Sequence, residues 1–181
     1  MSSNPRVPLL PGYDNAYLGV TAYQPVGTAA MDRFYATAWT QGVADPTIKE
    51  LMRLRNARTT GCKACQSMRF GPAIEAGFDE SQGDLAVDGY ESSEQATDRQ
   101  KAALRWTDRI IGNDGPPDET QLADMQRHFG AAELVEMTLS VAFNVGFSKF
   151  QIVLGTETPE VATNPWVLEL QAPDAAEHAH V

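Results

Sequence analysis

From Thr28 onward, apolar residues recur at three- and four-residue spacings over most of the chain, the period of helices that bury one face. The pattern predicts helices over roughly residues 29–41, 46–60, 62–77, 79–86, 95–112, 118–129 and 131–154, separated by short breaks. The breaks carry their own signals. Asp45-Pro46 opens the second helix, Gly61 separates the second from the third, and Asn113-Asp114-Gly115-Pro116-Pro117 ends the fifth. No strand pattern stands out, so the expectation is an all-α fold.

Three segments modify this picture. Residues 1–28 are rich in Pro, Gly, Tyr and Val, show no helical period, and are expected to form an extended N-terminal arm packed on the rest. Residues 134–154, LVEMTLSVAFNVGFSKFQIVL, are apolar almost all round, which predicts a helix at the centre of a bundle or in a subunit interface. After Thr156 the composition turns polar and proline-containing, and the closing DAAEHAHV reads as a frayed tail. The expected organisation is an arm over 1–28, a helical domain over 29–156 and a C-terminal tail over 157–181.

A length of 181 residues supports one domain with a real core. The 24 acidic against 14 basic residues give a formal net charge of -10, which disfavours nucleic acid and anionic membrane surfaces as partners. The densest basic stretch, Arg53, Arg55 and Arg58, lies inside one predicted helix. The N-terminal residues lack the continuous apolar run of a signal peptide, and no stretch is expected to reach the length of a membrane span. A cytoplasmic location is the resulting expectation.

In a reducing compartment, a close cysteine pair is more often a metal half-site or a redox pair than a structural disulfide. Both cysteines of this chain, Cys62 and Cys65, stand three positions apart directly after Gly61. At the start of a helix their sulfurs share one face about one turn apart, near enough to bond. The positive end of the helix dipole lowers a thiol pKa toward the reactive thiolate. A structural zinc site needs two further soft ligands, and the chain offers only His128, His178 and His180, two of them in the tail. The plain alternative is a pair of small apolar core residues.

Laid out at 100° per residue, the helix from Pro46 to Thr60 puts Leu54 and Ala57 on either side of Glu50, within about 40°, with Leu51 further round the same arc. Glu50 therefore points at the core, where a carboxylate needs a partner or a proton. Two readings stand: an ion pair with Arg58 two turns on, or a proton acceptor and donor facing the thiols.

Glu50, eleven intervening residues and then Cys62-Lys-Ala-Cys65 at a helix start resembles the alkylhydroperoxidase D-like, or carboxymuconolactone decarboxylase, superfamily. Residues 98–155 resemble that family's second half: a helix, a proline-rich turn, a helix, and a long apolar helix ending in an Asn and aromatic cluster. The resemblance covers roughly residues 29–155. It implies an all-α fold, assembly as a dimer, trimer or hexamer, and reduction of hydroperoxides through the cysteine pair with the glutamate in a proton relay. A thiol or protein reductant would complete the cycle, and no cofactor is called for.

The sequence departs from the family's pattern at Arg69, where peroxidase members carry a histidine, and at Ala64, histidine in some members. Arginine keeps its proton at physiological pH and cannot shuttle one. At four residues past Cys65 on a continuous helix, Arg69 would favour a thiolate electrostatically; otherwise it is a solvent-facing arginine. His128 is expected to close a helix, and His178 and His180 to be solvated. Trp106, Phe143, Phe147 and Phe150 fall at helical spacings as core residues that also suit the wall of an apolar thiol pocket. The expected activity is thus a thiol-dependent peroxidase acting through Cys62, Cys65, Glu50 and Arg69. A decarboxylase-like lyase, which needs no thiol pair, and a redox-sensing helical assembly are the alternatives.

Overall fold

The chain rests on one helix that is buried along most of its length. In the computed structural model, which describes residues 5–171, this helix is α3 (Pro46–Thr60). Asp45 caps it by accepting from the Thr47 N–H at 2.9 Å, Pro46 fits the first turn, and Gly61 ends it at φ 76°, a left-handed conformation that costs glycine little. Every residue from Ile48 to Ala57 is buried, including Lys49, Glu50, Arg53, Arg55 and Asn56. Such a helix persists only because its charges find partners. Lys49 meets Glu136 at 2.6 Å, and Arg55 meets Asp108 at 2.6 Å and Asp88 at 2.8 Å.

Before α3 come α1 (Ala16–Thr21) and α2 (Pro25–Thr40). After it come α4 (Lys63–Gln66), β1 (Met68–Phe70), α5 (Gly71–Glu75), α6 (Glu80–Gly83) and a short 3-10 turn at Tyr90–Ser92. Then follow α7 (Asp98–Gly112), α8 (Glu119–His128), α9 (Ala131–Leu154) and β2 (Trp166–Leu168). Reciprocal capping boxes, Thr97 with Gln100 and Asp118 with Gln121, fix the starts of α7 and α8. α3 packs against both α7 and α9. On one side of it lies an aromatic core in which Trp39 stacks on Phe70 with ring centres 4.3 Å apart; on the other lie Met52, Met125, Met137 and their neighbours.

The all-α expectation holds, and α3 and α9 have the predicted bounds. Elsewhere the structure corrects the reading. Within the arm, residues 5–15 are irregular, and Asn15, whose side chain accepts from Leu18 N–H, starts α1. The helix expected over 62–77 is one turn, a three-residue strand and another short helix. Pro72 explains the break: it has no N–H to give Met68, and its ring disfavours helical geometry in the residue before it. β1 pairs in parallel with β2, Met68 opposite Trp166 and Phe70 opposite Leu168, so part of the region read as a tail returns to the body.

α9 is inside out. Toward the body it buries Met137, Ser140, Val141, Asn144, Ser148 and Gln151, while Val135, Leu139 and Val153 are 60%, 56% and 63% exposed. Contrary to expectation, it is long and apolar enough to cross a membrane by length and composition. Its most polar stripe, however, is the one set against α3. Of the two places foreseen for α9, the centre of the bundle belongs to α3.

Candidate functional site

The turn at Gly61 delivers the cysteines. Cys62 N–H donates to Ala57 O at 3.0 Å, closing the end of α3, and Cys62 then serves as the N-cap of α4, its sulfur accepting from Cys65 N–H at 3.3 Å. The two sulfurs are joined as a disulfide, with Cα atoms 5.3 Å apart. Cys62 is 0% and Cys65 5% exposed.

α9 supplies the polar surroundings of Cys65. Ser148 Oγ lies 3.5 Å from Cys65 Sγ, and Gln151 Nε2 donates to the same sulfur at 3.8 Å. Asn56 Nδ2 donates to Ser148 Oγ at 3.0 Å, which leaves the Ser148 hydroxyl proton available to the sulfur. Asn56 Oδ1 is buried with no partner among the described residues. Such an acceptor is costly, and holding the donor on Ser148 is the arrangement gained for it.

Glu50 is completely buried and fully engaged, but by Arg53 rather than by Arg58. Arg53 Nε and Nη2 donate to its two oxygens at 2.9 and 2.6 Å. Arg53 also donates to Cys65 O and to Met68 O, both at 2.6 Å, tying Glu50 to the backbone of the cysteine turn. Arg58 reaches Gly83 O instead, with Asp84 at 3.9 Å. The Glu50–Arg53 pair has an i,i+3 spacing, a signal that the sequence carries and that the apolar arc does not show.

Arg69 is neither on the helix face of Cys65 nor open to solvent. It lies in β1, is 4% exposed, and forms a two-pronged pair with Glu80 at 2.9 and 2.7 Å. Its Nη1 donates to Gln66 O and Met68 O at 2.8 and 2.7 Å. Two arginines thus grip the carbonyl that Pro72 cannot serve. The chain after α9 covers this turn. Lys63 N–H donates to Glu157 at 3.0 Å, Ala162 N–H to Ser67 Oγ at 2.7 Å, and Trp166 N–H to Ser67 O at 3.0 Å.

Beside the disulfide lies a cleft of about 670 Å³, whose lining includes Ala64, Gln151, Tyr17, Tyr35, Phe147 and Trp166. Burial, followed by the charge of Asp32, pushes the Tyr17 hydroxyl up to about 12. Burial raises that of Tyr35 further, and Tyr35 donates to Asn144 Oδ1 at 2.9 Å. Of the aromatic candidates, Phe147 walls this cleft, Phe143 stacks on Phe34, and Trp106 donates to Thr138 at 2.9 Å. His128 closes α8 with Arg127 in its last turn. His178 and His180 lie outside the described residues. Ser148, Gln151 and Arg53 were missed in the sequence because their roles arise from contacts between separate elements.

No family model matches the chain. Two curated relatives from Mycobacterium tuberculosis, the uncharacterized proteins MT2376 (strain CDC 1551 / Oshkosh) and Rv2313c (strain ATCC 25618 / H37Rv), are each 31% identical over 118 residues. That alignment takes in 65% of this chain, which spans only 40% of the length of each relative. The crystal structure of ATU0492 from Agrobacterium tumefaciens, a protein of unknown function and candidate antioxidant defence protein AhpD, superposes with a TM-score of 0.63 at 19% identity. It covers 77% of this chain and 95% of that one. The chain therefore has the AhpD-like, all-α fold that its resemblance implies.

Proposed function

We propose that this protein is a thiol-dependent peroxidase in which Cys62 and Cys65 cycle between dithiol and disulfide while reducing an organic hydroperoxide. The observation that carries this reading is the disulfide itself, set at the head of a one-turn helix beside a largely apolar cleft, with polar donors from α9 on one sulfur. The AhpD-like fold supports it.

Cys65 is the attacking residue in this proposal, because its sulfur has the side-chain donors and the greater exposure. Its thiolate attacks one peroxide oxygen, the O–O bond breaks, and the departing alkoxide takes a proton to leave as an alcohol. The sulfur, now a sulfenic acid, is attacked by the Cys62 sulfur; the S–O bond breaks, water leaves, and the disulfide forms. Two electrons have passed from the dithiol to the peroxide. A dithiol reductant restores the pair by two exchanges, ending as a disulfide itself. Ser148 and Gln151 stabilise the thiolate, a role that Ala64 and Arg69 do not fill. Glu50 and Arg53 hold the turn, and Arg69 holds the residues behind it.

One equivalent of hydroperoxide should abolish both free thiols of the reduced protein and leave an intramolecular disulfide. Cys62→Ser should stop at a sulfenic acid on Cys65, and Cys65→Ser should not react. Thiols that survive excess peroxide in the native protein would end the peroxidase reading. We further propose that the exposed apolar side of α9 is covered by another copy of the chain, giving a homo-oligomer.

A further inference from the structure

The charge of the cleft, as distinct from its apolar walls, bears on what can enter it. Its inner end is marked by Gln151, which touches Cys65 Sγ, and by Ala64 between the cysteines. At its outer end stands Asp32 on α2, an exposed residue and the one acidic side chain in the lining. No lysine, arginine or histidine among the described residues lines the cleft. Asp32 forms no hydrogen bond or ion pair with any described residue, although its charge is felt by the hydroxyl of Tyr17; Tyr35, deeper in the cleft, feels Arg53 more strongly than Asp32. Around it the walls are aromatic: Tyr17 packs edge-on to Phe147 with ring centres 6.0 Å apart, and Phe147 does the same to Tyr35 at 5.5 Å.

A negative charge with no ion-pair partner among the described residues, at the exposed edge of a largely apolar cleft, repels carboxylates and attracts cations, and aromatic faces add to the attraction of cations. Among the described residues no cationic side chain in the lining could receive an acidic headgroup. The net charge of -10 acts in the same direction at longer range.

We propose that the cleft selects an uncharged or cationic organic molecule with an apolar body and rejects carboxylates, with Asp32 as the residue that sets this preference. The inference rests on the peroxidase reading for its meaning as substrate selection, but the charge preference is a property of the cleft and is testable without peroxide.

Three probes that share one apolar body separate the cases: 4-phenylbutylamine, methyl 4-phenylbutanoate and 4-phenylbutanoate. Their binding to the disulfide form is followed by titration calorimetry and by the fluorescence of Trp166, with Trp166→Phe as the control for the origin of the signal. The amine should bind best and the acid worst, with about a fivefold step from ester to acid, as for one pair of like charges across a half-solvated cleft. Raising the salt should shrink that step. Asp32→Asn should abolish it, and Asp32→Lys should reverse the order. The proposal is overturned if the acid binds the parent as well as the amine does, if Asp32→Asn leaves the order unchanged, or if none of the probes binds at millimolar concentration. Because no thiol is oxidised in this assay, such a failure leaves the thiol titration untouched. Conversely, thiols that ignore peroxide would not alter the order of the three affinities.

Discussion

Replacing Arg53 by Met separates two duties that the structure assigns to one side chain. Its guanidinium is the sole hydrogen-bonding partner of the Glu50 carboxylate among the described residues, and it also serves Cys65 O and shares Met68 O with Arg69. Removing one member of a buried pair costs about 3–5 kcal/mol. An abandoned buried carbonyl at Cys65 adds about 1–3 kcal/mol. Arg53→Met should therefore lose about 4–8 kcal/mol, much of the 5–15 kcal/mol that a domain typically has. Glu50→Leu alone leaves a buried guanidinium with only carbonyl partners and should cost about 3–5 kcal/mol. In the double variant the charges are gone and the carbonyl defect remains, so the loss should fall back to about 1–3 kcal/mol. Urea unfolding of the oxidised proteins, followed by circular dichroism and extrapolated linearly, measures all three. If Arg53→Met does not fold, the double variant still gives the decisive number. The reasoning fails if the double variant is as unstable as the sum of the singles, or if Arg53→Met costs less than about 1 kcal/mol.

Gln151→Leu and Ser148→Ala should each raise the Cys65 thiol pKa in the reduced protein by about one unit, since each removes a hydrogen bond to the thiolate; the pH dependence of iodoacetamide alkylation reads this, and an unchanged profile would remove both residues from the site. Leu139→Glu, on the exposed side of α9, should convert the oligomer to a monomer in light scattering, and a parent that is already monomeric at micromolar concentration would contradict the assembly proposed. Burial alone would raise the Asp45 carboxyl, but hydrogen bonds from the Thr47 side chain and backbone and from Arg99 outweigh it and hold the group below the usual carboxylate range. Its contribution is therefore fully present above the unfolded value near 4 and lost as the pH falls through the lower folded value. Asp45→Asn should remove that part of the acid dependence of stability while retaining a helix cap; an identical acid profile would show that Asp45 does not contribute.

The sequence was most readable where structure is local. α3 could be bounded to the residue because Asp45, Pro46 and Gly61 act within one turn of where they stand, and α9 because its apolar run is long. The burial of Glu50 was legible from the helical arc alone. The choice of Arg53 over Arg58 as its partner was not, because an apolar arc says where a side chain points and nothing about which neighbour turns to meet it. Arg69 was misplaced for a single reason. The helix was carried through Pro72, so a position on its face was assigned to a residue that belongs to a strand. β1 and β2 are three residues each, too short for alternation to be visible, and each forms only by pairing with a partner nearly a hundred positions away. Ser148 and Gln151 are polar exceptions in a run that reads as apolar almost all round, and only the fold shows that they face a sulfur.

The parallel pairing of β1 with β2 has a kinetic consequence. Two strands of three residues make a weak union, and such segments open far more often than the whole domain unfolds. With Cys62 and Cys65 0% and 5% exposed and Glu157 and Ala162 bonded across their turn, a bulky reductant would reach the disulfide while residues 157–168 are lifted away. A small oxidant entering through the cleft and a large reductant arriving under the lifted segment would then obey different clocks. Oxidation would follow the concentration of oxidant. Reduction by a protein would reach a plateau at the frequency with which this short ladder lets go, a frequency that hydrogen exchange at Trp166, whose N–H donates to Ser67 O, records independently.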